Sequence, residues 1–434
     1  AGAMAEAALS VARDALAAGG PVEAVGVTNQ RASTVVWDRA TGEAVGPGIG
    51  WQDLRTAGTC LMLQSQGLRL APNASATKLA YLLDTYDYNR DRDLAFGTVD
   101  TWIIWHLSGG QAHVTDASNA GVTGLMTGDA GGWSDAVLEA LRIPTSVLPT
   151  IVDSSGAVAA ATALPGGPPV TGVAGDQQAS LIGQGCTRPG QAKATFGTGA
   201  MLDVCLGGRP AFDVRGAGGC FPIVAWRRAG ALTWGIEAIM LSAGSAVEWL
   251  CDDLGLIDSA AASEAVAAVV SDAGGVYFVP ALLGLGTPHW DFGARGTLLG
   301  LTRGSGRAEV VRAVLEGVAH RGADLLEAAE LDSGQPIDTL RIDGGMSANA
   351  VFAQALANAC GRPVEISPVL EATTLGAAYL AGMAVGIWAD EDEVAEAWAP
   401  RAVVEPTGRL DRERWKEAVS RARDWIPELS SLQF

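Results

Sequence analysis

The chain has 434 residues, 48% of them hydrophobic and 18% charged. That is more than one compact core accommodates and too apolar for a mainly disordered chain, so two globular domains are expected. A formal charge of -19 without any basic stripe makes nucleic acid and anionic membrane surfaces poor partners, and an anionic ligand would need backbone N–H groups, helix N-termini or a divalent cation.

The six cysteines, at 60, 186, 205, 220, 251 and 360, have no short spacing of the kind that marks a zinc or redox site, which fits a reducing cytoplasm. The Ala-rich opening AGAMAEAALSVARDALAAGG reads as a helix, without the n-region and cleavage site of a secretion signal. Next come VEAVGVT and STVVWD, β-rich runs expected to be neighbouring strands. The apolar spacing of 134–142 predicts an amphipathic helix. ALPGGPPVTG then leads into GVAGDQQASLIGQG, a strand-to-helix transition at Gly175, with the domain boundary placed just after it, between 184 and 185.

In the second half, AKATFGTGAMLDVCL predicts a hairpin and GVYFVPALLG a buried strand. A long helix is expected over about 307–330, where Val310, Val311, Val314, Leu315, Val318, Leu325 and Leu326 recur at helical spacing. TLRIDGGMSANAVFAQALANACG reads as a strand, a Gly-Gly turn and a helix. The apolar stretch from Leu375 to Ala389, about 15 residues, falls short of the ~20 needed to span a bilayer and is expected to be a buried helix. The fold class is α/β in two lobes, with the cleft between them as the ligand site.

Three motifs could carry chemistry. Asp176, straight after Gly175 at a strand end, could deprotonate a substrate hydroxyl, with Gln177 bonding a second one; equally, it could cap the following helix. Gly197, Thr198 and Gly199 could bring backbone N–H groups onto phosphate oxygens, or simply close a hairpin. The DGG run at 343–345, followed by Asn349, could present a helix N-terminus to a nucleotide, or be an ordinary turn. Trp51 offers an aromatic face to the C–H side of a polyol. His106, His113, His289 and His320 lie in separate segments, which disfavours a histidine metal site or a Ser-His-Asp triad.

In order and spacing these segments resemble the FGGY carbohydrate kinases, with glycerol kinases the nearest branch. Further runs that carry the resemblance are GVTNQRAST, WQDLRT, FGTVDTWIIWHLSGG, HVTDASNA, PALLGLGTPHWDFGARGTLLGLTRG and TTLGAAYLAG. The resemblance implies two actin-like, RNase H-like lobes around an ATP cleft, and transfer of a phosphoryl group from ATP with Mg2+ to a primary hydroxyl of a small polyol or sugar. It implies Asp176 as base, also near the metal of Mg-ATP, with Arg31, Trp51 and Gln177 on the substrate. Gly197, Thr198, Gly199, Gly244, Glu248, Gly345 and Asn349 fall on the nucleotide side, and Glu248 stands where glycerol kinases have Gln.

Three further positions depart from that branch. Ala32 replaces a Glu, Ala117 a Tyr, and Met201 an aromatic, which predicts a roomier pocket and a four- or five-carbon polyol or ketose in place of glycerol. The β-hairpin with a D-x-G-T loop that opens the family lies outside this sequence, and it is expected to belong to a longer chain. A polyol- or nucleotide-binding sensor of the same fold is the rival reading. A homo-oligomer is compatible with either.

Overall fold

The computed structural model describes residues 1–432. A ten-stranded sheet runs through the molecule. From one edge, its order is Val25–Asn29, Pro169–Gly175, Ser155–Ala160, Phe221–Arg228, Ala231–Met240, Ala200–Gly207, Ala192–Phe196, Leu340–Asp343, Val364–Ile366 and Ala402–Val404. The first three strands come from the first half of the chain, and a single bridge, Arg228 to Ser155, joins them to the other seven. Around that seam Ser154 donates its amide to Arg227 at 2.7 Å and accepts the Arg227 amide on Oγ at 3.1 Å.

The expected elements form largely where the patterns place them: the opening helix Gly2–Gly19, the helix Asp135–Ala140, the hairpin of Ala192–Phe196 with Ala200–Gly207, and the long helix Arg307–Ser333. The long helix buries Val311, Val314, Leu315, Val318, Leu325 and Leu326 in the larger core, against Phe196, Phe278 and Phe352. One expectation fails. VEAVGVT and STVVWD yield strands Val25–Asn29 and Val35–Asp38, but these are not neighbours: the first pairs in parallel with Pro169–Gly175 and the second, antiparallel, with Leu94–Gly97 in a separate ribbon. Thr34 and Ile49 exchange 2.9 Å backbone bonds, and Ala32 adopts a φ of 61°, so the chain turns out of the main sheet between the two runs. The hairpin Phe221–Arg228 with Ala231–Met240 supplies the middle of the sheet and was not marked by any motif.

The helix Ala372–Ala384 overlaps the predicted stretch but starts before Leu375 and stops at Ala384, leaving Val385 and Ile387 exposed, and it crosses back onto the first half of the chain. It seats on the strands Val25–Asn29 and Pro169–Gly175, where a Cβ on Gly26 or Gly172 would overlap backbone atoms of Ala377 or Ala381. Against the helix Asp176–Gly183 the approach is closer still. A Cβ on Gly376 would overlap the Ala179 carbonyl oxygen, and one on Gly183 the Ala372 carbonyl oxygen. The two helix backbones touch because neither residue has a side chain there.

Among the described residues, no helix is long and apolar enough to cross a membrane. All six cysteines are free thiols, four of them buried.

Gly376→Ala is expected to destabilise the protein by about 1–3 kcal/mol, opposite in sign to the ~1 kcal/mol gain of the same change in an exposed helix. Urea unfolding measures the difference; an unchanged or raised midpoint would contradict the close packing.

Candidate active site

The strand Pro169–Gly175 is apolar and buried apart from its first residue, and the helix Asp176–Gly183 begins directly at its end. Asp176 is therefore the first helical residue, with its carboxylate at the mouth of the site, beside Arg31. The carboxylate does not cap the helix: the N-cap position is Gly175, and Asp176 stands one residue inside. Its Oδ1 accepts the Gln177 amide at 2.8 Å, a helix-terminus contact, while about a third of the side chain stays exposed. Burial raises the proton affinity of Asp176 above the ordinary carboxylate value, opposed by Arg31 and the Gln177 amide.

Arg31 follows the end of strand Val25–Asn29 and reaches across the mouth. Its Nε lies 3.1 Å from Asp176 Oδ1, its Nη2 donates to Glu237 Oε2 at 2.6 Å, and its Nη1 to Gln178 Oε1 at 3.4 Å. Burial works against its charge, and Glu237 and Asp176 outweigh that, holding the guanidinium protonated. Gln177 Oε1 accepts from Lys193 Nζ at 2.6 Å, and Lys193 also pairs with Asp203 at 2.6 Å. Lys193, Asp203 and Glu237 were not singled out from the sequence. The available signal was a charge inside each of the apolar strands AKATF, AMLDVCLG and ALTWGIEAIM, since buried charges occur where they are paired.

A polar network fixes the strand ends below the mouth. Asp116 caps its short helix through the Ser118 and Asn119 amides and accepts from Ser154 Oγ at 2.7 Å. Ser118 Oγ in turn accepts the Gly175 amide at 3.0 Å, and Asn29 Nδ2 donates to Asn119 Oδ1 at 3.0 Å. Asp100 lies deeper, accepting from Thr98 and Thr115, and burial pushes it up to about 6.

Trp51 is half-buried beside the Arg31 loop, its amide donating to Ser33 Oγ at 3.2 Å. Lys78, also missed from sequence, anchors this segment from beneath. It is fully buried and donates to the carbonyls of Gly50, Trp51 and Asn73 at 2.9, 3.0 and 2.9 Å. Burial lowers its ammonium to about 8, against Asp53 and Cys60.

The expected nucleotide-side residues converge. Thr198 is exposed at the tip of the Gly197–Gly199 turn, whose carbonyls take the amides of Ala243, Gly244 and Ser245 at 2.8–3.1 Å. A Cβ on Gly244 would meet the Gly197 carbonyl oxygen at 2.6 Å, and Gly344, at φ 84°, packs on Phe196. Glu248 and Gly345 are exposed on the same elements.

Two expectations are corrected here. The helix does not start at the Gly-Gly turn: a 3-10 turn, Gly345–Ala348, intervenes before the helix Ala350–Cys360. That helix N-terminus is already served, Asn349 Oδ1 taking the Phe352 amide and Glu264 the Ala350 amide, while Asn349 Nδ2 donates to Ser263. Its free donors are therefore not a ready phosphate site. On the substrate side, Ala32 is nearly enclosed and Ala117 wholly so, the latter in an apolar cluster with Ala130, Val224 and Trp234. Ala117 thus lines no open pocket, and the roomier pocket does not follow from it. Met201 is half-buried in its strand, opposite Ile239 and Thr195.

Family models for the FGGY family of carbohydrate kinases match this chain twice, the N-terminal domain over residues 3–183 and the C-terminal domain over 192–385. The chain belongs to the FGGY family of carbohydrate kinases. A glycerol kinase of Trichlorobacter lovleyi is 45% identical over 439 residues, covering 96% of this chain and 87% of the relative. One from Halorhodospira halophila is 46% identical over 429 residues, covering 94% and 84%. Among solved structures, Plasmodium falciparum glycerol kinase with ADP superimposes with a TM-score of 0.85 at 28% identity, covering 98% of this chain and 88% of that one. A xylulose kinase from Lactobacillus acidophilus shares the fold, with a TM-score of 0.82 at 19% identity over 98% of this chain and 89% of that one. The fold is that of the actin-like ATPase carbohydrate kinases, and the protein is an ATP-dependent carbohydrate or polyol kinase.

Lys78→Met removes three charge-assisted hydrogen bonds and is expected to cost about 3 kcal/mol or more. Because Lys78 releases its proton near 8 in the fold against 10.5 when unfolded, the unfolded chain holds more protons between those values. Lys78 therefore contributes more favourably as pH rises through that window, and the wild-type advantage over the variant should widen between about pH 7.5 and 9.5. Urea unfolding at the two pH values checks it, and a pH-independent difference would contradict the assignment.

Proposed function

We propose that the protein transfers the γ-phosphoryl group of ATP to a primary hydroxyl of a small polyol or sugar, with Asp176 as general base. The observation that carries this is the placement of Asp176: a partly exposed carboxylate at a strand end, beside Arg31, its proton affinity raised by burial. A hydroxyl lying on Asp176 gives up its proton there as its oxygen attacks the phosphorus in line, and catalysis is mainly positioning and electrostatic stabilisation.

Arg31, Gln177 and Trp51 form the acceptor side, while Ala32 and Ala117 supply no side-chain hydrogen bond to it. The turn Gly197–Gly199, with Gly244 and Gly345, takes the phosphates, and Glu248 and Asn349 lie toward the rest of the nucleotide. The two lobes are residues 1–184 and 185–434, with the helix Ala372–Ala384 docked across them.

A magnesium ion fits this donor set as an ion held chiefly by nucleotide phosphates. Among the described residues, no group of three or more His, Cys, Asp or Glu could hold a metal alone, whereas Asp176 is partly exposed and Asp343 Oδ1 is buried without a partner. Asp176 would hold it, through water or directly, and when bound it offsets phosphate charge.

Asp176→Asn should lower kcat by about 10²–10⁴-fold while nucleotide binding persists. ADP release measured with glycerol, four- and five-carbon polyols and ketoses, beside calorimetric nucleotide binding, tests this. Retained kcat would remove Asp176 from the mechanism, and absence of turnover by the wild type with every acceptor would leave the binding-only reading.

A further inference from the structure

The strands Ala192–Phe196, Ala200–Gly207 and Ala231–Met240 are neighbours in the sheet, and their register sets Lys193 opposite Asp203 and Asp203 opposite Glu237. Directly opposed residues point to the same face, so the three side chains form one charged rung. Lys193 and Asp203 have no exposed surface, and Glu237 has 5%. Each end of the rung reaches out to one substrate-side residue. Lys193 Nζ holds Gln177 Oε1 at 2.6 Å, and Glu237 Oε2 holds Arg31 Nη2 at 2.6 Å. Asp176, which Arg31 touches, and Gln177 are adjacent in sequence.

A buried rung of this kind is a poor source of stability, because desolvation of three charges consumes most of the attraction between them. What it supplies is orientation. A guanidinium beside a lone carboxylate closes on it with two parallel hydrogen bonds. Here Glu237 holds the Nη2 end, and only Nε comes within 3.1 Å of Asp176. Arg31 thus meets Asp176 through Nε, where a forked pair would take two of its nitrogens. At the other end, Lys193 has only donors and so fixes the Gln177 oxygen toward itself, turning the amide nitrogen the other way.

We propose that Glu237 and Lys193 are positioning residues for phosphoryl transfer: from one rung of the sheet, Glu237 keeps Arg31 from closing on Asp176 and Lys193 orients Gln177 toward the acceptor. This rests on the reading of Asp176 as base. It adds two residues that act through others and touch neither substrate. It also makes the acceptor side, carried by the first half of the chain, depend on strands of the second half.

The test is steady-state kinetics of the full chain with the best acceptor of the panel, with nucleotide binding by calorimetry and thermal unfolding as controls. Glu237→Gln should lower kcat about 10- to 100-fold, the range expected for displaced catalytic groups, with ATP binding unchanged. Glu237→Asp should recover part of the loss. Glu237→Gln and Arg31→Gln should be non-additive, since one acts through the other. Lys193→Met leaves Asp203 unpaired, so the paired change Lys193→Met with Asp203→Leu is the informative form; it should raise the acceptor KM about tenfold, as loss of one oriented hydrogen bond does, with a smaller change in kcat.

Wild-type kcat and KM in Glu237→Gln would overturn the proposal. So would a loss of nucleotide binding in step with kcat, which marks a merely structural role. Failure of the kinase reading itself is distinguishable, because it shows as absent turnover in the unmutated protein, and the positioning role falls with it.

Discussion

Arg31 stands between a carboxylate of the first half of the chain and one of the second, and the arrangement of the site depends on that shared guanidinium. Asp176 sits at the end of Pro169–Gly175 and Glu237 in the middle of Ala231–Met240, and both are within hydrogen-bond or ion-pair reach of Arg31. The cluster of Arg31, Lys193, Asp176, Asp203 and Glu237 carries two positive and up to three negative groups. Burial and the neighbouring Asp203 raise the proton affinity of Glu237, against the pull of Arg31. Such a cluster is costly to bury.

The seam has a second, apolar component. Two helices, Asp176–Gly183 and Ala372–Ala384, meet backbone to backbone because Gly183 and Gly376 carry no side chain where they cross. The helix that carries Asp176 is thereby held from behind by a segment almost two hundred residues away in sequence, while its front faces Lys193 and Thr195. Ser180 Oγ ties the same helix to Asp343 at 3.1 Å, at the end of the strand that precedes the Gly-Gly turn. The elements proposed for the acceptor and for the nucleotide are thus joined through one short helix.

Local patterns were legible wherever one element decides the outcome. The strand-to-helix step at Gly175, the Gly-Thr-Gly hairpin and the long helix from Arg307 follow from periodicity and turn chemistry. The pairing of VEAVGVT with STVVWD was not legible, because strand partners are chosen by the whole sheet and the sequence between the runs carries no Gly or Pro to announce the turn at Ala32. The helix N-terminus proposed for the nucleotide was misplaced for a related reason. Glu264, distant in sequence, takes the Ala350 amide, and Asn349 takes that of Phe352.

By itself the sequence determined the fold class, the family and the position of Asp176 at a strand end, since each is written in contiguous residues. Only the tertiary structure decided what surrounds that carboxylate. Lys193, Asp203 and Glu237 lie on three strands and become one charged rung through β-register, and Arg31 is bound to it from the other half of the chain. Electrostatic environment is a sum over groups close in space, so no local pattern could have shown which charges surround Asp176.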